Sequence, residues 1–183
     1  MQDVEAVRLL KRGDIKGLEA LVVRYQVRAV RTAYLIVQDE PLAEDLVQDT
    51  FVKLFQRMRF FDETRPFAPY LMRCVVNAAL NAVKKSGREI PLDTGKGEFE
   101  RLMQRALSVE NQVESGELQE ELLAAIAKLP PRQRAAIVQR YYLEMSENEM
   151  AQTLKAPAGT VKWLLNNARS RLQVLLGSER SAK

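Results

Sequence analysis

The stretch SENEMAQTLKAPAGTVKWLLNNARSRL, Ser146 to Leu172, holds two short apolar-periodic segments separated by only a few residues. The first opens with Ser146 and Glu149 in the S-x-x-E spacing of a capping box, ahead of Met150 and Leu154. The second follows Pro157, a residue that suits the start of a helix. Two consecutive short helices so tightly joined predict a helix-turn-helix over about residues 146–166. On a wheel turning about 100° per residue, with Val161 at zero, Leu165 falls near 40°, Ala168 near 340° and Leu172 near 20°. These four predict the packed face, and Leu164, near 300°, borders it. Trp163 is the only tryptophan. It falls near 200°, beside Ser170 at about 180°, Asn166 at about 140° and Asn167 at about 240°. The outward face therefore reads Trp-Asn-Asn-Ser, flanked by Lys162, Arg169 and Arg171.

Upstream of this corner, LQEELLAAIAKL (118–129) and PRQRAAIVQRYYLE (131–144) keep the helical period. They predict a small helical domain over 118–177, with a disordered tail at 178–183. The amino-terminal half gives four more helices. DVEAVRLLKRGD ends near Gly13, and DIKGLEALVVRYQVRAVRTAYLIVQ follows, with Leu18, Leu21, Val22, Tyr25, Ala29, Tyr34 and Ile36 roughly along one side. EPLAEDLVQDTFVKLFQRM carries Pro41 and acids in its first turns, where the helix dipole favours them. After the turn-like FFDETRPF, APYLMRCVVNAALNAVKK runs into basic residues and Gly87. No run alternates like a strand. The expected fold is all-α, with two small helical domains, 1–88 and 118–177, joined by a flexible acidic linker at 89–117.

Apolar residues make up 46% of the 183 and charged residues 28%, a globular balance. The chain has no histidine and one cysteine, which excludes His-based catalysis, His-ligated zinc and an internal disulfide. Cys74 sits in the apolar run LMRCVVNAAL and reads as a small buried hydrophobe. No nucleophile–base pair or metal cluster is visible, so neither an enzyme nor a cofactor is expected. Apolar runs are too short to cross a bilayer and the amino terminus is no signal peptide, which predicts a cytoplasmic protein without membrane insertion. The charge is segregated. Residues 1–88 hold 15 Lys/Arg against 11 Asp/Glu, residues 89–121 hold 3 against 9, and residues 122–183 hold 10 against 4. Two basic blocks about an acidic one suggest two polyanion-binding units and a connector that avoids polyanions.

Four segments in order, AEDLVQDTFVKLF (43–55), RPFAPYLMRCVVNAALNAVKK (65–85), LPPRQRAAIVQRYY (129–142) and PAGTVKWLLNNARSRL (157–172), resemble the extracytoplasmic-function sigma factors of bacterial RNA polymerase. The resemblance implies that 1–88 is sigma region 2 and 118–177 sigma region 4. It implies a non-catalytic subunit that binds core polymerase through the largest-subunit clamp helices and the flap. Such a subunit recognises the minus-ten and minus-thirty-five promoter elements and is silenced by an anti-sigma factor. The core-binding candidates are Asp45, Gln48, Asp49, Phe51, Lys53 and Leu54. For minus-ten recognition and melting they are Phe61, Arg65, Tyr70, Arg73, Asn77, Asn81, Lys84 and Lys85, with Phe60 and Phe67 as further aromatic faces. For the minus-thirty-five element they are Arg132, Arg140, Thr160, Lys162, Trp163, Asn166, Asn167, Arg169 and Arg171. The acidic linker, with Glu98, Glu100, Glu110, Glu114 and Glu117, would follow the polymerase's RNA path.

This chain also departs from the family's pattern. Tryptophan is usual where Tyr70 stands and an acid is usual at Asn81. Ser, Arg, His and Arg are common at Trp163, Leu164, Asn166 and Asn167, and glycine is common at Lys155. The recognition helix has lost cations and gained an indole, which predicts a minus-thirty-five preference unlike the family's usual one and a weaker salt dependence. Asparagine reads adenine, and an indole can lie against a thymine methyl or a sugar. The same indole would serve as a protein-interface anchor or as a cover for a neighbouring helix. Two further functions fit parts of the sequence, a conventional helix-turn-helix regulator and a sigma-like adaptor that no longer reads DNA.

Overall fold

The computed structural model describes residues 1–85 and 116–180, and every regular element in them is helical. The acidic connector lies almost wholly outside the described residues. By its contacts the chain divides into two compact units, Met1–Ala82 and Val83–Lys183.

In the first unit, α1 (Asp3–Lys11), α2 (Ile15–Val37) and α3 (Glu40–Arg57) pack in succession. A single 3-10 turn (Met58–Phe60) and a loop then lead to α4 (Phe67–Lys85). Local chemistry sets the boundaries. Gly13 takes the left-handed conformation (φ 81°) that turns the chain after α1. Asp14 caps α2 by accepting from the Lys16 amide, and Asp39 caps α3 by accepting from the Leu42 amide. Leu21, Leu35, Ile36, Val47, Met58, Leu71 and Val76 fill the core. α4 joins α2 through the Tyr25–Phe67 ring pair, 5.9 Å between centroids, and through Thr32 Oγ1 at 3.9 Å from Met72 Sδ. Tyr34, predicted on the packed side of α2, is exposed, as are Val23 and Val27.

In the second unit, α5 (Gly116–Ala127) precedes α6 (Pro131–Ile137), which runs on into one π-helical turn (Val138–Tyr142). Then come α7 (Glu147–Leu154) and α8 (Ala158–Arg180). α8 packs against α5, α6 and α7. Its Val161, Leu165, Ala168 and Leu172 are buried, as the wheel predicts, and so is Leu164. The helix continues to Arg180, so positions 178–180, expected as tail, have helical backbone. Gly177 lowers helix stability there by only about 1 kcal/mol, and no proline stops the helix.

Lys155 ends α7 at φ 49°, the left-handed conformation that an L side chain occupies at a cost of about 1 kcal/mol. Lys155→Gly is therefore expected to stabilise the second unit by up to about 1 kcal/mol. Its calorimetric transition should rise while that of the first unit stays in place.

Candidate functional site

The helix-turn-helix is built from α7 and α8. Ser146 Oγ accepts from the Glu149 amide at 3.3 Å, and Glu149 Oε2 accepts from the Ser146 amide at 2.8 Å, closing the capping box. The Ser146 hydroxyl also donates to Glu149 Oε2 at 2.7 Å, and this bond foremost, with that from the Ser146 amide, holds the Glu149 carboxyl below its ordinary pKa. At the start of α8, burial sorts the side chains. Val161, Leu164 and Leu165 point inward, whereas Lys162 and Trp163 are exposed, Trp163 to 54%. Lys162 Nζ lies 3.8 Å from Glu147 Oε2 of α7. Deeper along α8, Arg169 Nε donates to the Tyr141 hydroxyl at 2.7 Å. Arg140, on the π turn, donates to the Met145 carbonyl at 3.2 Å.

A second polar surface runs along α4. Counting about 100° per residue, Tyr70, Arg73, Asn77, Asn81 and Lys84 fall within about 80° of one another. All five are exposed or half-buried, while Leu71, Met72, Val75, Val76, Ala79 and Val83 take the buried side. Arg73 lies 5.8 Å from the Tyr70 ring centroid. Burial pushes the Tyr70 hydroxyl and the Cys74 thiol above their ordinary pKa values, so Cys74 remains a thiol and behaves as packing.

The loop before α4 is pinned at two points. Asp62 accepts from the Thr64 amide (3.0 Å) and hydroxyl (2.7 Å), and both bonds hold its carboxyl low. Glu63 accepts from Lys11 (3.0 Å) and Arg8 (3.2 Å) of α1, which hold its carboxyl low in the same way. Phe60, at the loop's entrance, is 75% exposed with the Arg59 guanidinium 4.6 Å from its centroid.

The third surface is on α3. Asp45, Gln48, Asp49 and Lys53 are exposed, with Lys53 Nζ 3.3 Å from Asp49 Oδ2. The apolar members beside them are Val52, 53% exposed, and Leu42.

Both units match known proteins. The sigma-70 region 2 profile matches residues 21–89, and the sigma-70 region 4 profile matches residues 119–172. The chain is 27% identical over 173 residues to the ECF RNA polymerase sigma factor SigW of Bacillus subtilis, covering 91% of this chain and 92% of that protein. It is 29% identical over 180 residues to the ECF RNA polymerase sigma-E factor of Escherichia coli, covering 94% and 93%. The chain belongs to the extracytoplasmic-function sigma factors. Its fold is similar to that of CnrH, solved in complex with the cytosolic domain of CnrY, at a TM-score of 0.65, 24% identity and coverage of 96% and 97%. It is also similar to that of the sigma factor RpoE of Bartonella quintana, solved with the anti-sigma factor NepR, at a TM-score of 0.64, 21% identity and coverage of 88% and 98%.

The sigma factor binds RNA polymerase core and promoter DNA, and its described helices carry most of the residues expected to do so on accessible faces. Six expectations need correction. Phe51 and Leu54 are buried, at 5% and 6% exposure. They stand next to the acids in sequence but about 140–200° around α3 from Asp49, on the core side. Val52 and Leu42 take their place. Phe61 and Phe67 are buried too, edge-on to each other at 6.0 Å, with Phe61 tilted against Tyr70 at 4.8 Å and Phe67 against Tyr25 at 5.9 Å, while Phe60 faces out. Asn167 and Ser170 are buried at 4% and 1% exposure. The wheel assumed a single packed stripe, and α8 meets three helices.

Of the remaining candidates, Arg65 is exposed and 3.4 Å from Asp62, while Arg132, Thr160, Asn166, Arg169 and Arg171 are half-buried. Arg140 is exposed. The Lys85 side chain lies outside the described residues. No described helix is long and apolar enough to cross a membrane.

Proposed function

We propose that this chain is a non-catalytic, cytoplasmic specificity subunit, whose α3 face docks on the polymerase clamp helices. In this reading α4 and Phe60 engage the minus-ten element as it opens, and α7–α8 reads the minus-thirty-five element. Residues 1–88 act as region 2 and 118–177 as region 4. The observation that carries the reading is the unbroken face of α4, where an aromatic ring, two amides and two cations line up on one side of one helix. Separated strands need a surface for unstacked bases and positive charge along the backbone, and that row supplies both. The acids on α3 suit a protein partner, because they would repel phosphates. A conventional regulator has no use for this pair of surfaces. An anti-sigma factor holds the protein inactive until a signal releases it, a role supported by the partner named in the Bartonella structure.

Permanganate footprinting, which marks unstacked thymines, tests the opening role. Phe60→Ala removes an exposed ring from the entrance of the loop. Base–aromatic stacking is worth about 1–3 kcal/mol per base, so strand-opening should fall about tenfold while affinity for core polymerase stays unchanged. Undiminished permanganate reactivity would remove Phe60 from the melting surface.

A further inference from the structure

The α8 end that meets DNA in the proposed function offers few groups with which to read it. The second helix of a helix-turn-helix enters the major groove by its amino-terminal residues. There Leu164 is core, Asn167 is buried and Asn166 is half-buried. The long side chains that stand clear are Lys162 and Trp163. Lysine shares its charge with Glu147 across the turn and is free to swing to a phosphate. The indole is the largest outward group, and it makes no hydrogen bond or ring contact with any described residue.

We infer that Trp163 is the specificity-determining residue for the upstream element and that it reads thymine through the C5 methyl group. Adenine, guanine and cytosine present only hydrogen-bonding groups at their major-groove edges, whereas thymine sets a C5 methyl group beside its O4 acceptor. An indole pressed against the first three strips their polar edges of water without replacing the lost hydrogen bonds. Against thymine it buries apolar carbon on apolar carbon. The contact needs no positive charge, which accounts for a recognition helix lacking cations at Leu164, Asn166 and Asn167. Adenine reading by Asn167, available on the wheel, is closed by its burial.

The inference rests on the helix-turn-helix reading above, and the test separates the two. Holoenzyme is assembled from the full chain and bacterial core polymerase, and its promoter is selected from a random library. Each thymine of the upstream element is then replaced in turn by deoxyuridine, which removes the methyl and leaves every hydrogen-bonding group. Wild-type holoenzyme should lose about fourfold in affinity at one or two of these positions. Trp163→Ala should bind the thymine promoter about tenfold more weakly and be indifferent to deoxyuridine everywhere. Trp163→Phe should keep part of the methyl sensitivity.

If the upstream element is protected from nuclease but wild type ignores every methyl, the inference is overturned and the helix-turn-helix reading stands. If that element is unprotected in the holoenzyme, both fall. If Trp163→Ala binds promoter normally but loses affinity for core polymerase or another protein, the indole is a protein anchor and the inference is overturned.

Discussion

Asp49→Lys is expected to weaken binding to core polymerase about a hundredfold while leaving the protein folded. Asp49 is strongly exposed, and it pairs with Lys53 at 3.3 Å, one helical turn on. Such exposed pairs contribute only a few tenths of a kcal/mol, so reversing the charge costs the fold little. In a docked interface the account is different, because a lost charge pair costs about 2–5 kcal/mol and part of that is repulsion of the abandoned partner. The lower part of that range corresponds to about a hundredfold in affinity. Glu44→Lys makes the same change of charge on α3, but about 140° around the helix from Asp49. It should alter affinity less than threefold. Titration of labelled core polymerase with the two variants decides the matter. Equal effects would mean that overall charge, and not this face, governs docking.

Gly17→Ala should produce the largest loss of stability. Alanine normally favours a helix over glycine by about 1 kcal/mol. At position 17, however, an added Cβ would lie 2.3 Å from the Ala6 carbonyl oxygen and 2.8 Å from the Leu10 amide nitrogen. Both are backbone atoms of α1, so the helices themselves must move apart. Overpacking of this kind costs about 1–3 kcal/mol, which places the first unit's midpoint about 10 °C lower for a domain of its size. Gly177→Ala makes the opposite case, since nothing lies within 4 Å of its added Cβ. That substitution should raise the second unit's midpoint slightly. A scanning-calorimetry comparison of the two variants therefore predicts shifts of opposite sign.

Those two glycines mark what a single sequence does and does not carry. The capping box at Ser146 and the buried row Val161–Leu165–Ala168–Leu172 were legible because each depends on neighbours within one helix. The α4 face was legible for the same reason, since its five members repeat at helical spacing. Gly17 lies in the first turn of α2, and its role depends on α1 crossing at that point. An isolated glycine in a helical pattern is a signal of close packing, although it does not say against what. Phe51 and Phe61 are buried although they adjoin exposed acids and a loop, because nearness in sequence is not nearness in space. Val52 and Phe60, each one residue away from them, occupy the exposed positions. Asn167 and Ser170 failed differently. A wheel finds one packed stripe, while a 23-residue helix crossing three others is covered on more than one side.

The most direct measurement is run-off transcription with purified protein and bacterial core polymerase on a library of genomic fragments. Discrete transcripts are predicted, starting downstream of sites that share two sequence elements, and they should vanish when Asp49→Lys replaces the wild type. Binding of duplex DNA by the protein alone, with no affinity for core polymerase and no transcripts, would contradict the account.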